Sequence, residues 1–197
     1  MSRQRNVNHE AALLAAKELF WQEGYAGTST RELEEQTGLT RFTLQNVYGG
    51  KRGFFLDTLD EYLNNAEQEF FPDPASFNLE TLAEWFEQLG RAETMPLIGA
   101  SGCLAINSMN EFDRDDVEVN QRIQRYFSSI EGRFCKVLEN ARSDGAMSAD
   151  LDPKKLSRLL VSQLLGLQVI FRGRIDDQFP ASFAEATAAM IRSWMLP

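Results

Sequence analysis

The sequence predicts an all-α protein of about nine helices. Three observations lead there. Capping residues recur just ahead of apolar positions with helical spacing, glycines or prolines follow those stretches, and no sustained two-residue alternation marks a half-buried strand. At 197 residues the chain suits one domain or two small ones, with a real core. A composition of 43% hydrophobic and 25% charged residues excludes wholesale disorder and a disulfide scaffold. No apolar run approaches the ~18 residues of a membrane span, and the N-terminus lacks the apolar core of a signal peptide. A soluble cytoplasmic protein without a membrane partner is expected.

The elements follow in order. Ala12, Ala16, Leu19 and Phe20 line one face of a first helix, about Asn8 to Glu23, and Gly24 is placed to end it. Ser29 and Glu32 have the form of a capping box, in which each side chain satisfies a backbone N–H at the helix start. A short helix from Thr30 to Gly38 follows, and Thr40 caps another, Arg41 to Val47. After Gly49 and Gly50 a longer helix starts at Lys51, runs towards Phe71 and is stopped by Pro72 and Pro74. Asn78 caps a fifth helix that reaches Arg91. A loop through Pro96 and Gly99 leads to a helix from Gly102 to Glu111, then a long amphipathic helix from Asp115 to Ser143. Asp152 and Pro153 open the next helix, which runs to Arg172 and ends at Gly173. Ser182 and Glu185 form a second expected capping box, at the start of the last helix.

The net charge of −9 is unevenly spread. Residues 1–56 hold seven basic and six acidic residues, whereas the remainder holds 13 and 23. Only the N-terminal quarter suits an approach to phosphates. Cys103, Cys135 and the single His9 match no usual zinc ligand set, so no metal and no cofactor is implied, and the thiols fit a reducing compartment. With no phosphate-binding glycine loop and no Ser/His/acid set, a small helical enzyme is the weakest reading.

Two short helices joined by a glycine-containing turn have the form of a helix-turn-helix, whose second helix fits the major groove. With Leu44 facing inward, that second helix presents Arg41, Phe42, Thr43, Gln45 and Asn46, beside its cap Thr40. Arg pairs with guanine, and Gln or Asn with adenine. Thr30, Arg31 and Lys51, at the starts of the flanking helices, are placed for phosphates or flanking bases.

Residues 9–56, above all the run TSTRELEEQTGLTRFTLQNVYGGKRGFF, resemble the DNA-binding domain of the TetR family of transcriptional regulators. The Thr-Arg opening the first short helix, Gly38 closing it, Leu44, Tyr48 and Lys51 fall where that family has counterparts. Two positions depart from it. Gln45 stands where the family usually has a phosphate-touching Tyr, and Phe42 where a smaller residue is commoner. A bulky Phe42 either meets a thymine methyl or alters how the helix docks.

The resemblance implies a DNA-binding domain over residues 1–50 and an effector-binding and dimerisation domain over residues 51–197. It implies a homodimer on a palindromic double-stranded operator, released by a small organic effector. The last two helices would supply the dimer contacts through Leu160, Leu164, Leu167 and Phe171, joined by Phe183, Met190, Ile191 and Trp194. The broad apolar face from Lys154 to Arg172 agrees. Candidate effector contacts are Trp85, Phe86, Leu89, Met95, Cys103, Met109, Phe112 and Phe127, with Asn107 as an orienting polar group. Core packing is the commoner use of such aromatic and Met positions. A Gly-Cys-Leu run at Cys103 also resembles a subset of such regulators that answer to electrophiles. An alternative is therefore a thiol-based redox or electrophile sensor acting on DNA binding.

Overall fold

The computed structural model describes residues 9–91, 102–173 and 176–196. Among them stand nine α-helices: α1 (His9–Gly27), α2 (Thr30–Thr37), α3 (Arg41–Tyr48), α4 (Lys51–Glu69), α5 (Leu79–Gly90), α6 (Leu104–Glu111), α7 (Val117–Ser143), α8 (Pro153–Gly173) and α9 (Phe179–Arg192). The described residues contain no strand, only a single antiparallel bridge between Met147 and Met195.

Four helix starts are made by the expected capping residues, whereas α6 and α7 begin two residues later than expected, at Leu104 and Val117. Ser29 and Glu32 close their box, and Thr40 and Asn78 accept from the backbone three residues on, Asn78 with Thr81 as its reciprocal partner. Asp152 accepts from the N–H of Lys154 at 2.9 Å. The box at Ser182 and Glu185 does not form. Pro180, which has no N–H to satisfy and a helix-ready φ, starts α9 at Phe179 instead. The Ser182 N–H is already inside the helix, donating to the Gln178 carbonyl at 3.0 Å. Gly24 breaks α1 at φ 74°, as its type allows, but helix resumes through Gly27.

The chain divides into two compact units. One comprises residues 1–65 and 104–123, the other residues 66–103 and 124–197, so that α4 and α7 each contribute to both. In the first unit Phe20 meets Phe55 edge-on at 5.1 Å, and Leu33, Leu39, Leu44 and Phe54 are buried. Glu111, closing α6, accepts the N–H groups of Tyr25 at 2.8 Å and Ala26 at 2.5 Å. Its carboxylate thereby caps the helical turn that the Gly24 break leaves with unpaired donors. Arg52 of α4 pairs with Asp116 at 2.8 Å and Glu118 at 3.1 Å, and Asp60 pairs with Arg122 at 2.9 Å.

The second unit is organised round aromatic packing. Trp85 contacts Phe70, Phe71, Phe86 and Phe134 at 5.1–6.1 Å, and its indole N–H donates to the Phe70 carbonyl at 3.2 Å. Helix α5 crosses α9 closely at Gly90, where an added Cβ would stand 2.5 Å from that of Ala184. Arg192 of α9 returns to α5 by bonding Glu80 and Glu87.

Candidate nucleic-acid interface

Helix α3 is only eight residues long, too short to persist alone in water. Three polar devices and one buried leucine hold it. The Thr40 hydroxyl accepts the Thr43 N–H at 3.1 Å, and Glu34 of α2 accepts the Arg41 N–H at 2.5 Å. At the other end Gly49, in the left-handed region at φ 76°, donates back to Gln45 and Leu44. Leu44 is 1% exposed and anchors the inner side. A N-cap contact of this kind contributes about 1 kcal/mol.

The turn into α4 is equally constrained. Gly53 lies where an added Cβ would come 1.6 Å from the Tyr48 carbonyl oxygen, so no side chain fits. That contact explains a glycine near the start of a helix, where it costs about 1 kcal/mol relative to alanine. The Tyr48 hydroxyl and His9 Nδ1 lie 2.6 Å apart, joining the end of α3 to the start of α1.

On this scaffold Arg31, Thr40, Arg41, Phe42, Gln45 and Asn46 are exposed, while Thr30, Thr43 and Lys51 are half-buried. Several are already engaged. Arg31 bonds Glu35 at 2.8 Å, which raises the affinity of its guanidinium for its proton. The Thr43 hydroxyl lies 3.0 Å from that of Thr40, and Asn46 donates to the Phe42 carbonyl at 3.0 Å. The Lys51 ammonium sits 4.3 Å from the centre of the Tyr25 ring. Burial pushes its pKa down, with Glu111 and then Glu32 opposing that shift. Glu34 and Glu111, which hold α3 and the α1 break, carry no local signature: their partners lie 7 and 85–86 positions away.

Residues 12–58 match the family described as bacterial regulatory proteins, tetR family, and residues 78–190 match the tetracyclin repressor-like C-terminal domain. The uncharacterized HTH-type transcriptional regulator YezE of Bacillus subtilis is 31% identical over 180 residues, which cover 89% of this chain and 92% of that one. This chain belongs to the TetR family of transcriptional regulators. The HTH-type transcriptional repressor ComR of Escherichia coli is 26% identical over 174 residues, 86% of this chain and 82% of its own. Among solved structures, the TetR-family regulator CifR, as a cysteine mutant with 26-base-pair double-stranded operator DNA, shares the fold. Its TM-score is 0.75 at 22% identity, over 98% of this chain and 100% of that one.

The other residues singled out for a TetR-like role are divided between the two units. Trp85, Phe86, Leu89 and Cys103 are buried in the second unit, where Phe127 is half-buried. Asn107, Met109 and Phe112 belong to the first unit, and Phe112 packs on Tyr25 and Phe55 at 5.1 Å each. Met95 lies outside the described residues. Cys103 precedes α6 and is 6% exposed. Nearby Tyr126 has its pKa raised well above the usual range, by burial first and then by the charges of Cys103 and Glu67. Leu160, Leu164 and Leu167 of α8, Ile191 of α9 and Trp194, which lies just beyond the end of α9 and not within it, are buried by their own chain. Phe171, Phe183 and Met190 are half-exposed, and Leu159 and Val169 stand out at 36% and 54%. No helix among the described residues is long and apolar enough to cross a membrane.

Proposed function

We propose that this protein is a repressor that binds a palindromic operator as a homodimer and is released by a small organic effector. One observation carries the reading: a doubly capped, leucine-anchored α3 turns Arg41, Phe42 and Gln45 to solvent. Such a helix suits base reading in the major groove, and a two-fold dimer would offer two of them to successive grooves. The relative named a repressor, and the related fold solved on operator DNA, support this. Residues 1–50 would read the operator, with Thr30, Arg31 and Lys51 on the backbone or flanking bases. Residues 51–197 would bind effector and partner, with the half-exposed Phe171, Phe183 and Met190 better available to a second copy than the leucines beneath them.

The effector must favour the released form over the DNA-bound form, since equal affinity shifts nothing. Burial of Cys103 disfavours attack by a bulky electrophile and so favours a noncovalent effector in the second unit. The deciding experiment measures binding to the intergenic DNA upstream of the protein's own gene, with nonspecific competitor and varied salt. Specific, salt-sensitive binding that Arg41→Ala and Gln45→Ala weaken is expected, with Lys51→Ala flattening the salt slope instead. Equal binding by all three variants and the parent would refute the docking assignment.

A further inference from the structure

We infer that Phe42 is a specificity-determining residue that reads the 5-methyl group of a thymine in each operator half-site. The inference rests on α3 being the base-reading helix. At ~100° per residue, Phe42 lies ~200° round the axis from buried Leu44. Arg41 and Gln45 flank it on one side and Thr43 and Asn46 on the other, so it stands near the middle of the outward face. At 77% it is the most exposed large hydrophobic residue among those described.

Its place along α3 matters equally. Phe42 is the second residue of the helix, and the N-terminal residues of a recognition helix are those that meet base edges. Its backbone is fixed there by Glu34 on Arg41, by Thr40 on Thr43, and by the Asn46 amide on its own carbonyl. The last bond has a second consequence. An Asn46 amide held against its own helix is less available to adenine, which leaves the ring of Phe42 as the dominant surface between Arg41 and Thr43. The major-groove edge of the base pairs offers such a ring one apolar group, the thymine methyl. Contact there removes both from water, whereas every other edge would lose hydration against an apolar face.

The test uses the full-length protein and an operator obtained by selection from random double-stranded DNA. Each thymine of the selected half-site is replaced by deoxyuridine, which deletes the methyl and keeps the base-pairing and groove hydrogen bonds. One position per half-site is expected to weaken binding about four-fold, the ratio matching ~0.8 kcal/mol for one buried methylene-sized group. Symmetric replacement in both half-sites should approach ~16-fold by the same constant. Phe42→Ala should bind thymine and uridine operators alike, with a nearly unchanged thermal midpoint because most of the ring is exposed to solvent. If no uridine position matters to the parent, or if the penalty persists in Phe42→Ala, the assignment to Phe42 falls while the DNA-binding reading stands. If selection enriches no sequence at all, that reading falls and takes this one with it.

Discussion

The helix pairs α2–α3 and α5–α9 reach their positions by different routes. Between Ser29 and Gly50 nearly every decision is local: a reciprocal cap at Ser29 and Glu32, a left-handed Gly38 two residues before the Thr40 cap, and a left-handed Gly49. Helices α5 and α9 are joined by contacts distant in sequence, Gly90 against Ala184 and Arg192 against Glu80, the latter 112 positions apart. The first pair holds a few polar side chains in a fixed register towards solvent, which suits reading DNA. The second buries its apolar faces in the core of its own unit. Polar caps are therefore expected to govern the geometry of the first pair, and steric fit the stability of the second.

Gly53 is the position that most threatens this division, because a steric contact lies at the edge of the locally specified pair. An alanine Cβ would stand 1.6 Å from a backbone oxygen, which no side-chain rotation relieves. Gly53→Ala should cost about 3 kcal/mol or more, at the upper end of overpacking effects. For a chain this size that lowers the thermal midpoint by roughly 6–12 °C, and α3 should lose its docking register as well. A variant melting within about 2 °C of the parent would mean that the α3–α4 junction adjusts freely.

Gly90→Ala tests the second pair at a milder contact, 2.5 Å from the Ala184 Cβ and 2.9 Å from the Pro180 carbonyl oxygen. A loss of about 1–3 kcal/mol is expected. Adding Ala184→Gly should return a measurable part of it, as residues in contact are not additive. Operator affinity, measured well below the melting range, should stay at the parent level. A weakening as large as that of Gly53→Ala would erase the distinction between the pairs.

The same contrast sets how much was legible in the sequence. Caps at Ser29, Thr40, Asn78 and Asp152 were readable because donor and acceptor lie within three residues of each other. Glu34 on Arg41 and Glu111 on the Gly24 break were not, since only the folded chain brings those carboxylates to their helix ends. Ser182 and Glu185 spell a local signal that Pro180 pre-empts two residues earlier. Apolar periodicity is blind in a further way. It finds Leu160, Leu164 and Leu167 without saying whether their own chain or a partner covers them, and their burial here is within the chain. Phe112 likewise reads as one apolar residue among many until its stacking on buried Phe55 places it, half-buried, against the core of the first unit.

The smallest expected effect concerns the charged seam of the α5–α9 pair, and its sign follows from Glu87. The hydrogen bond from Arg192, helped less by its charge and that of Arg91, holds the Glu87 carboxyl below the usual carboxylate range against the opposing cost of burial. A depressed folded-state pKa means that the ionised form is preferred in the folded protein. The stability it contributes is therefore present above the unfolded pKa, about 4.3 for glutamate, and drains away as pH falls through the folded value. Arg192 is well exposed to solvent, so screening leaves the seam only a small contribution at neutral pH. Arg192→Met should then lower the thermal midpoint at pH 7 by less than either glycine substitution does. The gap from the parent should narrow steadily as both are titrated below about pH 4.3, because the parent loses what the variant never had. A gap that stays constant across that range would assign the effect of Arg192 to the packing of its aliphatic stem, and the α5–α9 pair would then be held by steric fit alone.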